Sequence, residues 1–192
     1  MRTKEFDEDE ALNKAVQLFW RKGYNGTSMQ DILDTMGLSR SSLYRTYTDK
    51  HTLFLKALEN YRQFSSAEIK KVINNQDTSK ETIRKVLEFI ADVVVGDEQQ
   101  KGCFMLNSEV ETAPHDKEIL EMVLANDQDM EAIFFDLIKK GQDKGEIKKQ
   151  HKARSWARFF LNTAKGIRVT AKSTSDKSVF RDIIKLALST LD

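Results

Sequence analysis

The chain has 192 residues, 40% of them hydrophobic, with 31 basic and 30 acidic side chains and a formal net charge of +1. That is enough apolar material for one large or two small domains, and the balance of charge by itself selects neither nucleic acid nor membrane as a partner. A single cysteine, Cys103, excludes an intramolecular disulfide and fits a reducing cytoplasm. One proline and eight glycines supply too few turns for a sandwich or barrel, so an all-α fold is expected.

At the start, Arg2 and Lys4 precede an acidic run from Glu5 to Glu10 and read as a basic arm toward phosphate or minor groove. No apolar signal segment is present, and no stretch approaches about 18 apolar residues, so neither secretion nor membrane spanning is expected. The first helix is expected over about Asp7 to Lys22, acidic where it begins, basic where it ends, and stopped by Gly23. Ala11, Ala15, Leu18 and Phe19 form its apolar stripe. A turn at Asn25 and Gly26 leads to a second helix capped by Thr27 or Ser28, on which Met29, Ile32, Leu33 and Met36 share one face. Gly37 can take positive φ where that helix must stop, and Ser39 can cap a third. In the third helix only Leu43 and Tyr47 are spaced to pack inward, which leaves Arg40, Ser41, Ser42, Tyr44, Arg45 and Thr46 for a partner.

Such a surface fits a major groove, which admits one helix and offers base-edge acceptors to Arg and phosphate oxygens to hydroxyls and Lys. Residues 11 to 62 also hold eight basic against four acidic side chains. On spacing alone two readings stand: a helix-turn-helix, or a helical hairpin whose polar face meets water.

The wording is narrower than the spacing. Thr27, Ser28, Gly37, Leu38, Ser39, Leu43, Tyr44, Tyr47, Lys50 and Leu53 occupy the marked places of a known pattern. With them the first third of the chain resembles the amino-terminal domain of the tetracycline-repressor (TetR) family of bacterial transcription regulators. Two positions depart from it: Thr46 stands where the family often has His, and Leu33 where it usually has Ala. The resemblance implies a DNA-facing set of Thr27, Ser28, Arg40, Ser41, Ser42, Tyr44, Arg45, Thr46 and Lys50. Arg40 would read a base edge with Ser41 or Arg45 assisting, while Thr27, Tyr44, Thr46 and Lys50 would hold phosphates. The organisation expected is a helix-turn-helix domain at 1–48, a linking helix at 49–76, and a helical effector-binding and dimerisation domain at 77–192, with about nine helices in all.

Further along, Asp49 is placed to cap a fourth helix carrying Leu53, Phe54, Ala57, Leu58 and Tyr61, then Ile69 and Val72. After a polar gap from Asn74, Thr78 and Glu81 read as a capping box for a helix through Ile83, Val86, Leu87 and Ile90 to Gly96. The run from Gly102 to Glu111 is a wording found in one branch of the same family. Pro114 should end a short helix and Asp116 should cap a long one that stops near Gly141 or Gly145. Two amphipathic helices close the chain, the first with Trp156, Phe160, Ala164 and Ile167, the second with Phe180, Ile184, Ala187 and Leu188. Their wide apolar faces either complete one core or pair with their own copies in a four-helix homodimer interface. The dimer is preferred, because a reader helix of about three turns touches few bases; two copies would take an inverted-repeat operator in double-stranded DNA, with half-sites about 34 to 36 Å apart.

No Gly-rich phosphate loop, paired-Cys motif, His-Glu metal motif or nucleophile elbow occurs, so no enzyme, cofactor or metal is expected. Glu109, Glu111, His115 and Asp116 are read as a helix end and loop in water rather than metal ligands. A small apolar effector, implied by the resemblance, would meet Phe89, Phe104, Asn107, Glu111, Met130, Phe134, Trp156, Phe160 and Thr163 in the second domain; plain core is the competing reading of those residues. The function expected is a DNA-binding transcriptional regulator, read as a repressor released by an effector. A helical adaptor with a basic surface is the alternative.

Overall fold

The computed structural model describes residues 6–73, 76–97 and 99–192. Among the described residues the order is α1 (Glu8–Lys22), α2 (Met29–Met36), α3 (Arg40–Tyr47), α4 (Lys50–Val72), α5 (Ser79–Val95), α6 (Phe104–Glu111), a 3-10 turn (Ala113–His115), α7 (Lys117–Asp143), α8 (Ala153–Thr170) and α9 (Lys177–Ser189), with no strand. The arm expected at Arg2 and Lys4 lies outside the described residues, as do Asn74 and Asn75 of the boundary loop.

Most helices begin where a short polar side chain satisfies the free amides of a first turn. Asp7 accepts from the amides of Asp9 and Glu10, Asp49 from that of Thr52, Thr78 from that of Glu81, and Asp116 from that of Ile119. α6 and α8 lack a side-chain cap, so burial must hold them in place. Phe104, Met105 and Ser108 anchor α6, and Ala157, Phe160, Ala164 and Ile167 anchor α8.

The helices bury two apolar clusters. One joins α5, α7, α8 and α9 through Ile83, Leu87, Phe134, Ile138, Phe160, Ile167 and Phe180. The other gathers Phe19 of α1, Ile32 of α2, Leu43 of α3 and Phe54 of α4, and it also takes in Cys103, Phe104, Ala113, Ile119 and Val123. Packing therefore crosses the division drawn at residue 77: α6 and the first turns of α7 complete the amino-terminal core. α7 and α8 form the most extensive helix pair. A lysine on α8 ties in α6 as well, for the Lys165 ammonium reaches Glu109 at 2.8 Å and also contacts Asp127. Burial pulls the Lys165 pKa down, but the hydrogen bonds its ammonium donates to Asp127 and Glu109 outweigh it and the net shift is upward.

The end of α7 depends on a missing side chain. A Cβ built on Gly141 would stand 2.6 Å from Cδ1 of Ile147 and 2.9 Å from Cβ of Ser79, the first residue of α5. Both neighbours are buried. Gly141→Ala gains up to about 1 kcal/mol of helix propensity, whereas the overlap forces a shift in a packed corner that costs about 1 to 3 kcal/mol. The overlap should win, and thermal unfolding of Gly141→Ala should fall by about 2 to 6 °C; an unchanged or raised midpoint would show that the corner yields freely.

Candidate nucleic-acid interface

The reader is built by three local devices. Ser28 and Asp31 make a reciprocal capping box at the start of α2, in which the Asp31 amide donates to Ser28 Oγ at 3.1 Å and the Ser28 amide donates back to Asp31 Oδ2 at 2.9 Å. Lys22 closes on the same carboxylate at 2.6 Å, and its ammonium, with the Ser28 donors, holds Asp31 well below the usual carboxylate range. Gly37 then turns left-handed, with φ 68° and ψ 32°, and ends α2. Ser39 Oγ accepts from the Ser42 amide at 3.2 Å and starts α3.

Leu43 and Tyr47 point into the core, 0% and 2% exposed. Arg40, Ser41, Tyr44 and Arg45 stand in solvent, with Tyr44 at 43% exposure, and Thr46 is half-buried beside them. α3 thus presents two guanidiniums, a hydroxyl and a phenol on one side. It ends at Thr48, whose φ of 64° is a left-handed value for a residue with a branched side chain, a conformation that only firm packing on either side maintains.

The other residues expected to face DNA are placed differently. Thr27 is 1% exposed and its hydroxyl donates to the Gly23 carbonyl at 2.6 Å, so the side chain clamps the α1–α2 turn and is not free for phosphate. Ser42 is buried and accepts from Ser39 Oγ at 3.0 Å, which makes it part of the α3 cap. Ser28 is exposed but spent on Asp31. The Lys50 ammonium lies 4.3 Å above the Tyr24 ring; burial lowers its pKa, opposed by Glu111.

Two contacts between distant residues tie the reader to the rest, and sequence spacing signals neither. The Glu111 carboxylate, at the end of α6, accepts from the amides of Tyr24 at 3.1 Å and Asn25 at 2.8 Å. Gly23 makes room for it: besides its φ of 75°, a Cβ there would lie 2.6 Å from Glu111 Oε2. His51 of α4, which has no evident partner in the sequence, meets the Asp116 carboxylate at 2.8 Å. Burial raises the Asp116 pKa, but the hydrogen bonds from the Ile119 amide and His51 bring it below its ordinary value.

The nine residues expected around an effector are not brought to one place. Phe104 sits in the amino-terminal core between Phe54 and Tyr61, and Asn107 donates to the Lys101 carbonyl. Glu111 serves the reader turn. Phe134, Phe160 and Trp156 pack together in the other core, with Phe89 half-buried against it. The Thr163 hydroxyl donates to the Phe159 carbonyl on its own helix. Of the nine, only Met130 lines the small cavity at the junction of α4, α6, α7 and α8. Glu109, Glu111, His115 and Asp116 are likewise dispersed, and among the described residues no group of three or more His, Cys, Asp or Glu could hold a metal ion.

Comparison with known proteins supports the reading of the reader as a DNA-binding unit. Residues 11–57 match the family described as bacterial regulatory proteins, tetR family, and residues 79–186 match the tetracyclin repressor-like C-terminal domain. An uncharacterized HTH-type transcriptional regulator of Bacillus subtilis (strain 168), YezE, is 32% identical over 192 residues, which is 100% of this chain and 99% of that protein. The HTH-type transcriptional repressor ComR of Escherichia coli (strain K12) is 26% identical over 172 residues, covering 89% of this chain and 82% of ComR. Among solved structures, a cysteine mutant of the TetR family transcriptional regulator CifR, complexed with 26bp double-strand operator DNA, superposes with a TM-score of 0.88 over 100% of both chains at 22% identity.

The Glu111 contact is open to direct measurement. Glu111→Ala should lower stability by about 1 to 2 kcal/mol and speed hydrogen exchange at the Tyr24 and Asn25 amides. Glu111→Gln, which keeps one acceptor oxygen, should fall between that variant and the parent. Unchanged exchange at both amides in Glu111→Ala would show that the turn holds itself.

Proposed function

The chain belongs to the TetR family of bacterial regulatory proteins, and from that premise we propose that it represses transcription by reading an inverted-repeat operator as a homodimer and leaves DNA when a small effector binds. As a member of that family it is a helix-turn-helix transcriptional regulator. The observation that carries the proposal is the solvent face of α3, where Arg40, Ser41, Tyr44 and Arg45 stand clear of a helix fixed by Leu43, Tyr47 and the turn at Gly37.

In this reading Arg40 and Arg45 enter the major groove, Arg40 to a guanine edge, while Tyr44, Thr46 and the Ser28 end of α2 meet phosphates. Lys50 acts from beside Tyr24, and Thr27 and Ser42 act through the shape they give the turn and cap. The reader comprises residues 1–48, the link 49–76, and the sensing and pairing part 77–192.

Pairing through the last two helices is supported by what they leave uncovered. On α8, Phe159 and Val169 are 41% and 55% exposed, and Gly166 between them offers no side chain to hold a neighbour off; on α9, Leu186 is 71% exposed. Such a face is worth covering with a second copy. Effector release then requires a ligand that favours a dimer whose reader helices are wrongly spaced. The Glu111 and His51 contacts are the physical route by which a shift in α6 or α7 would reach the reader.

Gel shifts against the chain's own upstream region, at two salt concentrations, test this. Arg40→Ala should cost about 1 to 3 kcal/mol on the preferred site and relax sequence choice, and Lys50→Ala should weaken all DNA alike and reduce the salt slope by about 1. Identical behaviour of the two would undo the division of labour. Leu186→Glu should convert dimer to monomer by light scattering while helicity by circular dichroism is kept, and should lower operator affinity at least tenfold; a Leu186→Glu dimer would remove α9 from the interface.

A further inference from the structure

The small cavity at the junction of α4, α6, α7 and α8 holds a cation with no counter-charge. Arg168 of α8 is 9% exposed, and its guanidinium has no hydrogen bond or ion pair among the described residues. The other arginine on the wall, Arg62, is already matched by Asp129 at 2.7 Å and Glu59 at 3.0 Å. The remaining polar groups on the wall are neutral: Tyr61, Ser65, Ser66, Cys103 and Asn126. A guanidinium does not give up its proton, and one so largely withdrawn from water, with no partner from the protein, has donors to spare for an anion.

We propose, resting on the effector reading above, that this cavity is the effector site and that the ligand is a small organic monoanion whose carboxylate is held by Arg168. One unmatched positive charge calls for one negative charge, and the flat fork of a guanidinium fits a carboxylate through two parallel hydrogen bonds. Tyr61 supplies a second donor. Its hydroxyl donates to Cys103 Sγ at 3.5 Å, a weak bond to a poor acceptor, and can turn to a carboxylate oxygen at little cost. Met105, Met130 and Ile133 complete the wall and suit a short apolar body, the two methionines being able to change rotamer around it.

The size of the cavity supplies the coupling. Its volume is about 20 Å³, room for about one water molecule. An acid of four or more heavy atoms enters only by widening the junction, and α4, which bears Tyr61, is one wall of it. The same helix begins at Lys50 beneath the reader and carries His51 against Asp116. A ligand on Arg168 therefore pushes on the element that sets the reader's position.

The test uses the full chain as purified. Acetate, propionate, butyrate and benzoate, with propionamide, butyramide and benzamide as neutral counterparts, are titrated calorimetrically into wild type, Arg168→Gln and Arg168→Lys, and operator affinity is measured in parallel. At least one acid should bind saturably and at least tenfold more tightly than its amide, Arg168→Gln should lose at least tenfold, and Arg168→Lys should fall between. The lysine variant keeps the charge and carries the comparison if the glutamine variant does not fold. No binding by any acid at millimolar concentration, equal binding of acid and amide, or wild-type binding by Arg168→Gln would overturn the proposal. An acid that binds through Arg168 yet leaves operator affinity unmoved would uphold the anion site and overturn the effector reading.

Discussion

The core beneath the reader is not closed by the reader alone. Phe104, from a helix that begins more than fifty residues after the reader ends, inserts its ring between Phe54 and Tyr61 at centroid distances of 5.6 and 5.7 Å. Phe54 meets Phe19 edge-on at 5.0 Å, Tyr61 meets Trp20 at 5.0 Å, and the Trp20 indole donates to the Gly102 carbonyl. A bundle of about fifty residues buries too small a share of its surface to be comfortably stable alone. Borrowing an aromatic from α6 ties α4, against which the third helix packs, to the position of α6.

From that sharing follows an uneven distribution of rigidity. Where α5, α7, α8 and α9 meet, the packing is almost purely apolar and continuous. At the junction with α4 and α6 it is interrupted by polar groups: the Arg62 pair, the Lys165 contacts to Glu109 and Asp127, the Tyr61 hydroxyl on a thiol, and an unmatched guanidinium. Polar groups in a low-dielectric interior hold strongly when fully satisfied and become points of give when they are not. In the proposed control this junction is where a second arrangement would form, between the helices proposed to pair and the reader.

Much of this was legible in the sequence where the determinants are local. Asp7, Ser39, Asp49, Thr78 and Asp116 act on amides two or three residues away, so the helix starts could be read directly, and the inward pair Leu43 and Tyr47 followed from spacing. At the second helix the sequence offered Thr27 or Ser28 as cap; geometry selects Ser28 and turns Thr27 inward to Gly23. What remained hidden were contacts across long separations. Glu111 lies 86 residues from the Asn25 amide it accepts from, and no periodicity relates them. The aromatic residues grouped as a pocket share composition, not position, since Phe104 and Phe134 belong to different clusters. Arg168 reads as an ordinary polar neighbour of Ile167 until its burial is known.

The Glu111 carboxylate resting where a Gly23 side chain would be couples these two sites in one direction. A lineage that acquired alanine at 23 would have to swing aside the acid at 111 as well as bear the strain of φ 75°, whereas one that lost the acid would still be held to glycine at 23 by its backbone. Descendants of a common ancestor should therefore vary at 111 while keeping glycine at 23.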